Sequence, residues 1–95
     1  SFVSAAQAQT WGLVNRIVPR AELHGAVAEW AQALAAGPPV ALAQSKRLLQ
    51  ESDAQSFEGA VENECAYQCV NLATQDTREG FRAFFEKRKP RFEGR

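Results

Sequence analysis

The sequence has no methionine and few of the histidine and cysteine residues that commonly bind metals. Its 95 residues include one histidine and two cysteines, His24, Cys65 and Cys69. A zinc site normally needs four donors, and these three have no recognisable spacing, so we predict no metal site. We instead expect Cys65 and Cys69 to pack in the core and His24 to lie on a helix surface. Without an initiator, the chain is expected to be processed or part of a longer one.

Long apolar runs are also absent. No run approaches the roughly 20 residues that a membrane-spanning helix needs, and the first residues show no signal-peptide pattern. Ninety-five residues suffice for one small core. These features predict a single domain with a cytoplasmic location and no contact with membranes.

Charge is balanced overall but sorted along the chain. Residues 78–95 hold seven cations and three acids, a local +4, whereas the remainder holds four cations and eight acids, −4. A positive C-terminal segment suggests an anionic ligand, and a solvated helix surface is the alternative.

The pattern of residues predicts a mainly helical fold of about four to five helices with one short extended segment. Ser4 and Gln7 form a capping-box pattern for a first helix, with Gly12 just beyond its end. Helices are further predicted from about residue 21 to 36, after Pro39, after Ser56, and from a cap at Asp76 toward Pro90. The segment "LVNRIVP" between the first two is rich in β-branched residues and predicted to be extended.

No group of residues resembles an active site. The acids Glu62 and Glu64 are two residues apart, so they point in different directions from a helix. There is no phosphate-binding glycine loop, and no nucleophile or carboxylate accompanies His24. We therefore predict no catalytic residue in this chain.

The C-terminal stretch "EGFRAFFEKRKPRF" carries the candidate binding residues. On a helix, Phe81 and Phe85 share a face and are predicted to be core, whereas Phe84 lies beside Lys87 and Arg88. A ring next to cations suits a base and its phosphate, because the base stacks while the cations bind phosphate oxygens. The alternative is that Phe84 packs against a neighbour and the cations complement the helix dipole.

Three segments together resemble the C-terminal third of the enoyl-CoA hydratase/isomerase family, also called the crotonase family. They are "SAAQAQTWGLVNRIVP", "GPPVALAQSKRLL" and "DTREGFRAFFEKRKPRF", and the likeness covers nearly the whole chain. The resemblance implies a C-terminal helical region for trimer formation and coenzyme A contact over residues 1–95. Residues 1–19 would be a short helix and connector, and residues 20–95 the helical core.

The same resemblance implies the roles of particular residues. Phe84 and Lys87 match the family positions that reach the adenine and phosphates of coenzyme A bound to a neighbouring subunit, and Arg88 is a weaker candidate. A second aromatic of some members would fall at Gln68. The oxyanion hole and the proton-transferring glutamates of the family would lie before Ser1, so this chain alone is expected to be inactive.

The resemblance thus predicts part of an acyl-CoA enzyme that hydrates or isomerises enoyl-CoA thioesters in fatty-acid or related metabolism. Coenzyme A would be part of the substrate, with no separate cofactor. The protein would be a homo-oligomer, a trimer or a dimer of trimers, and would not bind nucleic acid. The alternative is a basic helix that docks nucleic acid or protein through "KRKPR". The reaction and the acyl chain length stay open, because they depend on residues outside this sequence.

Overall fold

The computed structural model describes residues 2–95, and this part of the chain contains five α-helices and no strand. The helices are α1 (Ala5–Thr10), α2 (Leu23–Ala35), α3 (Pro39–Glu51), α4 (Phe57–Leu72) and α5 (Gln75–Phe85). Two short 3₁₀ segments, Arg20–Glu22 and Ser52–Ala54, precede α2 and follow α3. The predicted helical fold class is confirmed, and "LVNRIVP" is irregular rather than a strand.

Local sequence signals set most helix boundaries. The Ser4 Oγ accepts a hydrogen bond from the Gln7 amide, and the Ser4 amide donates to the Gln7 Oε1, which completes the predicted capping box. Pro39 occupies the first turn of α3, where its missing N–H group costs nothing. Ser56 caps α4 by accepting from the Gly59 amide at 3.1 Å. These three boundaries are confirmed.

The start of α5 differs from the prediction. Thr74 is its N-cap and accepts from the Thr77 amide at 3.2 Å. Asp76 instead lies in the first turn, and Glu79 does not reach back to a cap. The prediction of an Asp76 cap was therefore wrong, because Thr74 offers a hydroxyl two residues earlier and Asp76 has other partners.

The contacts divide the chain into a first unit that ends at Gln32 and a second unit, Ala33–Arg95. The first unit contains α1, the irregular connection and most of α2. Its residues Leu23, Val27 and Trp30 share one face of α2, as predicted, and are about half exposed. Arg16 pairs with Glu29 at 3.7 Å within this unit.

The second unit contains α3, α4 and α5, with α3 packed on α4 and α4 on α5. Gly37 permits the tight entry into α3, since a Cβ there would lie 2.9 Å from the Leu42 side chain. Ala83 and Asp76 are the only residues of the described chain that are buried. Most large apolar side chains are exposed, so the helices present apolar faces that other protein surface can cover.

None of the helices between residues 2 and 95 is long and apolar enough to cross a membrane. The sequence predicts that residues 1–19 form a short helix and connector and that residues 20–95 form the helical core. This division of roles stays a prediction.

Candidate functional site

The candidate site lies at the C-terminal end of α5, which closes in a Schellman motif. The Arg88 amide donates to the Ala83 carbonyl at 3.0 Å, and the Lys87 amide donates to the Phe84 carbonyl at 3.2 Å. In this motif the residue after the cap takes a left-handed conformation that usually belongs to glycine. Here it is Lys87, with φ of 52°. The helix therefore ends at Phe85, five residues before Pro90, and Lys87 and Arg88 lie in the turn that follows it.

Phe84 lies in the last turn of α5, and its side chain is not part of the core. It is 78% exposed, and its ring centroid lies 5.8 Å from that of Phe85 in an edge-to-face arrangement. Such a pair leaves the face of one ring open to a planar group. A groove of about 470 Å³ runs along these rings and is lined by Thr77, Gly80, Phe81, Phe84 and Phe85.

The two other rings of this segment are not core, contrary to the prediction. Phe81 is 59% exposed and Phe85 is 78% exposed. The helical spacing correctly placed them together, but the described chain has no element that covers them. Ala83 is the buried apolar residue on α5 instead.

The cations beside Phe84 differ in their availability. Lys87 is exposed and pairs with no acid between residues 2 and 95. Arg88 binds Glu79 with two hydrogen bonds of 2.6 and 2.9 Å and also binds Glu86. A ligand phosphate would have to displace two carboxylates from Arg88, whereas the Lys87 amine is accessible.

The Glu79 carboxylate is strongly stabilised in its charged form. Hydrogen bonds from the Arg88 guanidinium and, second, from the Arg91 amide lower the pKa of Glu79 from 4.5 to about 2. The same partnership with Glu79, followed by that with Glu86, raises the pKa of Arg88. Glu79 therefore fixes the turn that follows α5.

Asp76 fixes the last residues of the chain. Its buried carboxylate accepts from the Glu93 amide at 2.7 Å and the Gly94 amide at 2.8 Å. Its own amide donates to the Arg95 carbonyl at 3.0 Å. The C-terminal segment, residues 91–95, is thus bound along α5. Sequence reasoning missed this role, since the "DTRE" pattern has the same form as a helix cap.

The remaining predicted positions fall elsewhere in the fold. Gln68 lies on α4 and lines a cleft of about 200 Å³ with residues of α3 and α5. Cys65 and Cys69 are exposed on α4, so the prediction that they pack in the core was wrong. The spacing did place them on one face, but nothing in residues 2–95 covers that face. His24 is exposed on α2, as predicted.

The exposed Phe84 ring, the accessible Lys87 ammonium and the uncovered apolar helix faces are the features of this chain that can contact other molecules. Comparison with known proteins identifies the family. The family model for enoyl-CoA hydratase/isomerase matches residues 1–95, so the chain belongs to the enoyl-CoA hydratase/isomerase family. The resemblance recognised in the sequence is thereby confirmed.

Named relatives agree with this assignment. The chain is 37% identical over 93 residues to an Arabidopsis thaliana protein named "Probable enoyl-CoA hydratase 2, mitochondrial", covering 97% of this chain and 31% of the relative. It is 35% identical to carnitinyl-CoA dehydratase of Salmonella agona, covering 98% of this chain and 37% of the relative. The chain therefore spans about a third of the length of these relatives.

Solved structures show the same helical arrangement. An enoyl-CoA hydratase from Bacillus anthracis matches with a TM-score of 0.92 and 29% identity over 98% of this chain and 36% of that one. A Polaromonas enoyl-CoA hydratase matches with a TM-score of 0.91 and 28% identity over 96% and 35% of the respective chains. The fold thus corresponds to one part of crotonase-fold proteins, and the nucleic-acid alternative is not favoured.

Proposed function

We propose that this chain is the C-terminal part of an acyl-CoA enzyme that hydrates or isomerises enoyl-CoA thioesters. Its role is to contact coenzyme A and to join subunits, while the reacting groups lie on other parts of the protein. The observation that carries the proposal is an exposed Phe84 followed three residues later by an exposed Lys87, in a chain that matches the family throughout.

The coenzyme A contact follows from the chemistry of these two side chains. Phe84 offers a ring face to adenine, and aromatic stacking on a base contributes about 1–3 kcal/mol. Lys87 offers a flexible ammonium to a phosphate, and its amide donates to the Phe84 carbonyl at 3.2 Å within the left-handed turn. Arg88 contributes less, because it is bound by Glu79 and Glu86.

The experiment is coenzyme A titration of the full-length protein by calorimetry. Phe84→Ala is expected to weaken binding by about 5- to 100-fold, the range that the loss of base stacking gives. The matched control is Phe57→Ala, since Phe57 is 80% exposed on α4 and lies on a different helix. Equal affinities for wild type and Phe84→Ala would refute the site.

The subunit-joining role rests on the exposed apolar faces. Leu23, Val27 and Leu34 on α2 are 51–61% exposed in the chain by itself. A trimer, or a dimer of trimers, would cover such faces with neighbouring subunits. The proposed enzyme needs no cofactor beyond the coenzyme A of its substrate, and the cytoplasmic location stays a prediction.

Light scattering of the full-length protein tests this role. Val27→Asp should reduce the assembly to smaller species, because it places a charge in an apolar interface. Gln32→Glu adds the same charge on α2 away from the apolar face and serves as the control. Unchanged mass for Val27→Asp would contradict the assignment of α2 to the interface.

A third measurement is an assay of the isolated chain with an enoyl-CoA substrate. We expect no catalytic turnover.

A further inference from the structure

Four arginines line one cleft between α5 and the C-terminal segment. The cleft has a volume of about 370 Å³. Its cationic residues are Arg78 and Arg82 from α5 together with Arg91 and Arg95 from the C-terminal segment. This volume falls within the range of about 300–1,000 Å³ that is typical of small-molecule sites. No part of the proposed coenzyme A contact uses these side chains.

The acids around the cleft already have partners. Asp76 accepts the two amides of Glu93 and Gly94, and Glu79 accepts both the Arg88 guanidinium and the Arg91 amide. Glu93 pairs with Arg95. In contrast, Arg78, Arg82 and Arg91 form no ion pair with any acid between residues 2 and 95. The cleft therefore has more free guanidinium groups than free carboxylates.

Backbone contacts hold the two walls of the cleft together. The Arg91 amide is fixed to Glu79 at 2.9 Å, and the Arg95 carbonyl is fixed to the Asp76 amide at 3.0 Å. Phe92 lies between them, with a ring atom 3.8 Å from where a Gly80 Cβ would lie. The C-terminal segment, which contains Arg91 and Arg95, is thus anchored to α5, which contains Arg78 and Arg82. The lining carries four arginines and three acids, so the cleft has a small net positive charge that a bound anion would offset.

The cleft lies on a different face of α5 from the aromatic groove. Arg78 and Arg82 are four residues apart and so share a face. Phe84 follows Arg82 by two residues, a rotation of about 200° around the helix. One ligand group therefore cannot stack on Phe84 and sit among these arginines at the same position.

We propose that this arginine cleft is a second anion site, which binds a phosphate group. Guanidinium groups present paired N–H donors that match phosphate oxygens, and they stay charged at all physiological pH values. The volume accommodates a phosphate that is free or carried by a small phosphorylated molecule.

The test is calorimetric titration of the complete protein, in a phosphate-free buffer of fixed ionic strength. Inorganic phosphate and glycerol 3-phosphate are the two probes. A higher affinity for glycerol 3-phosphate would identify a phosphomonoester as the ligand class. Saturable binding is expected, and Arg82→Gln should weaken it about tenfold or more, because a charge-assisted hydrogen bond is lost. Arg78→Gln should act in the same direction.

Two controls distinguish phosphate binding in the cleft from general attraction to cations and from binding at the aromatic groove. Arg20→Gln removes an arginine outside the cleft and should leave the affinity for phosphate unchanged. Phe84→Ala should also leave it unchanged while it weakens coenzyme A binding, so the two proposals can fail separately. The arginine cleft would be refuted by absent saturation, by equal loss in Arg20→Gln, or by equal competition from chloride at the same ionic strength.

Discussion

The ends of α1 and α5 have the same backbone turn with different residues at its left-handed position. In α1, the Leu13 amide donates to Ala8 at 2.8 Å and the Gly12 amide donates to Gln9 at 3.0 Å. This is the same hydrogen-bond pattern as at the end of α5. The left-handed residue is Gly12, with φ of 75°, at α1 and Lys87, with φ of 52°, at α5.

The difference lies in the backbone cost of the two turns. Glycine adopts this conformation freely, whereas a left-handed helical geometry costs a residue with a Cβ about 1–2 kcal/mol. The left-handed conformation alone therefore accounts for glycine at position 12. Lys87 takes the same conformation at this backbone cost, and we propose that its side chain has the coenzyme A role described above. The anchored segment after Lys87 supplies the contacts that hold the turn.

The largest expected effect comes from releasing that anchored segment. Asp76→Ala should lower the free energy of unfolding by about 2–4 kcal/mol, since the amides of Glu93 and Gly94 lose a buried charged acceptor. Denaturant unfolding measures it. Asp53→Ala, at an exposed acid in a 3₁₀ segment, should change stability by less than about 0.5 kcal/mol. Similar values for the two variants would show that the segment does not stabilise the α5 turn.

A smaller effect is expected at the α1 turn. Gly12→Ala should destabilise by about 1 kcal/mol, because the added Cβ disfavours positive φ although nothing lies within 4 Å of it. Gly25→Ala is the matched control, since Gly25 is helical with equally open surroundings. It should stabilise by about 0.5–1 kcal/mol. Thermal unfolding that moves both variants in the same direction would contradict the conformational explanation.

The pair between Glu79 and Arg88 should give a pH-dependent contribution to stability. Because folding lowers the pKa of Glu79 from 4.5 to about 2, the contribution is complete above pH 4.5 and lost as the pH falls toward 2. The effect should be modest, since exposed ion pairs are screened by water and salt. Unfolding curves between pH 2 and 6 for wild type and Glu79→Gln measure it. The two curves should converge at the acidic end; a constant offset across that range would contradict the assignment.

Sequence reasoning succeeded where a signal was local. The Ser4 and Gln7 cap, the position of Pro39 and the Gly12 turn all depend on neighbouring residues, and all were predicted. It failed where the partner was distant in sequence. Asp76 bonds to residues 93 and 94, and Arg88 bonds to Glu79, so helical spacing alone could not show that α5 ends at Phe85.

Burial was the second limit on prediction. Helical periodicity placed Phe81 with Phe85 and Cys65 with Cys69 correctly, but it cannot tell whether a face is covered by the same chain or by another surface. Phe84 and Lys87 were predicted as neighbours on one helix stripe. They are neighbours along the chain through a Schellman turn instead, and their contact with coenzyme A stays a prediction.

The central claim is that Lys87 acts through its side chain rather than through its backbone conformation. Lys87→Gly in the full-length protein tests it most directly, with unfolding and coenzyme A titration measured on the same sample. Glycine should raise stability by at most about 1 kcal/mol, because relief of the left-handed strain is partly offset by entropy of the unfolded chain. Coenzyme A affinity should fall about tenfold. A variant that binds coenzyme A as tightly as the wild type would contradict the claim.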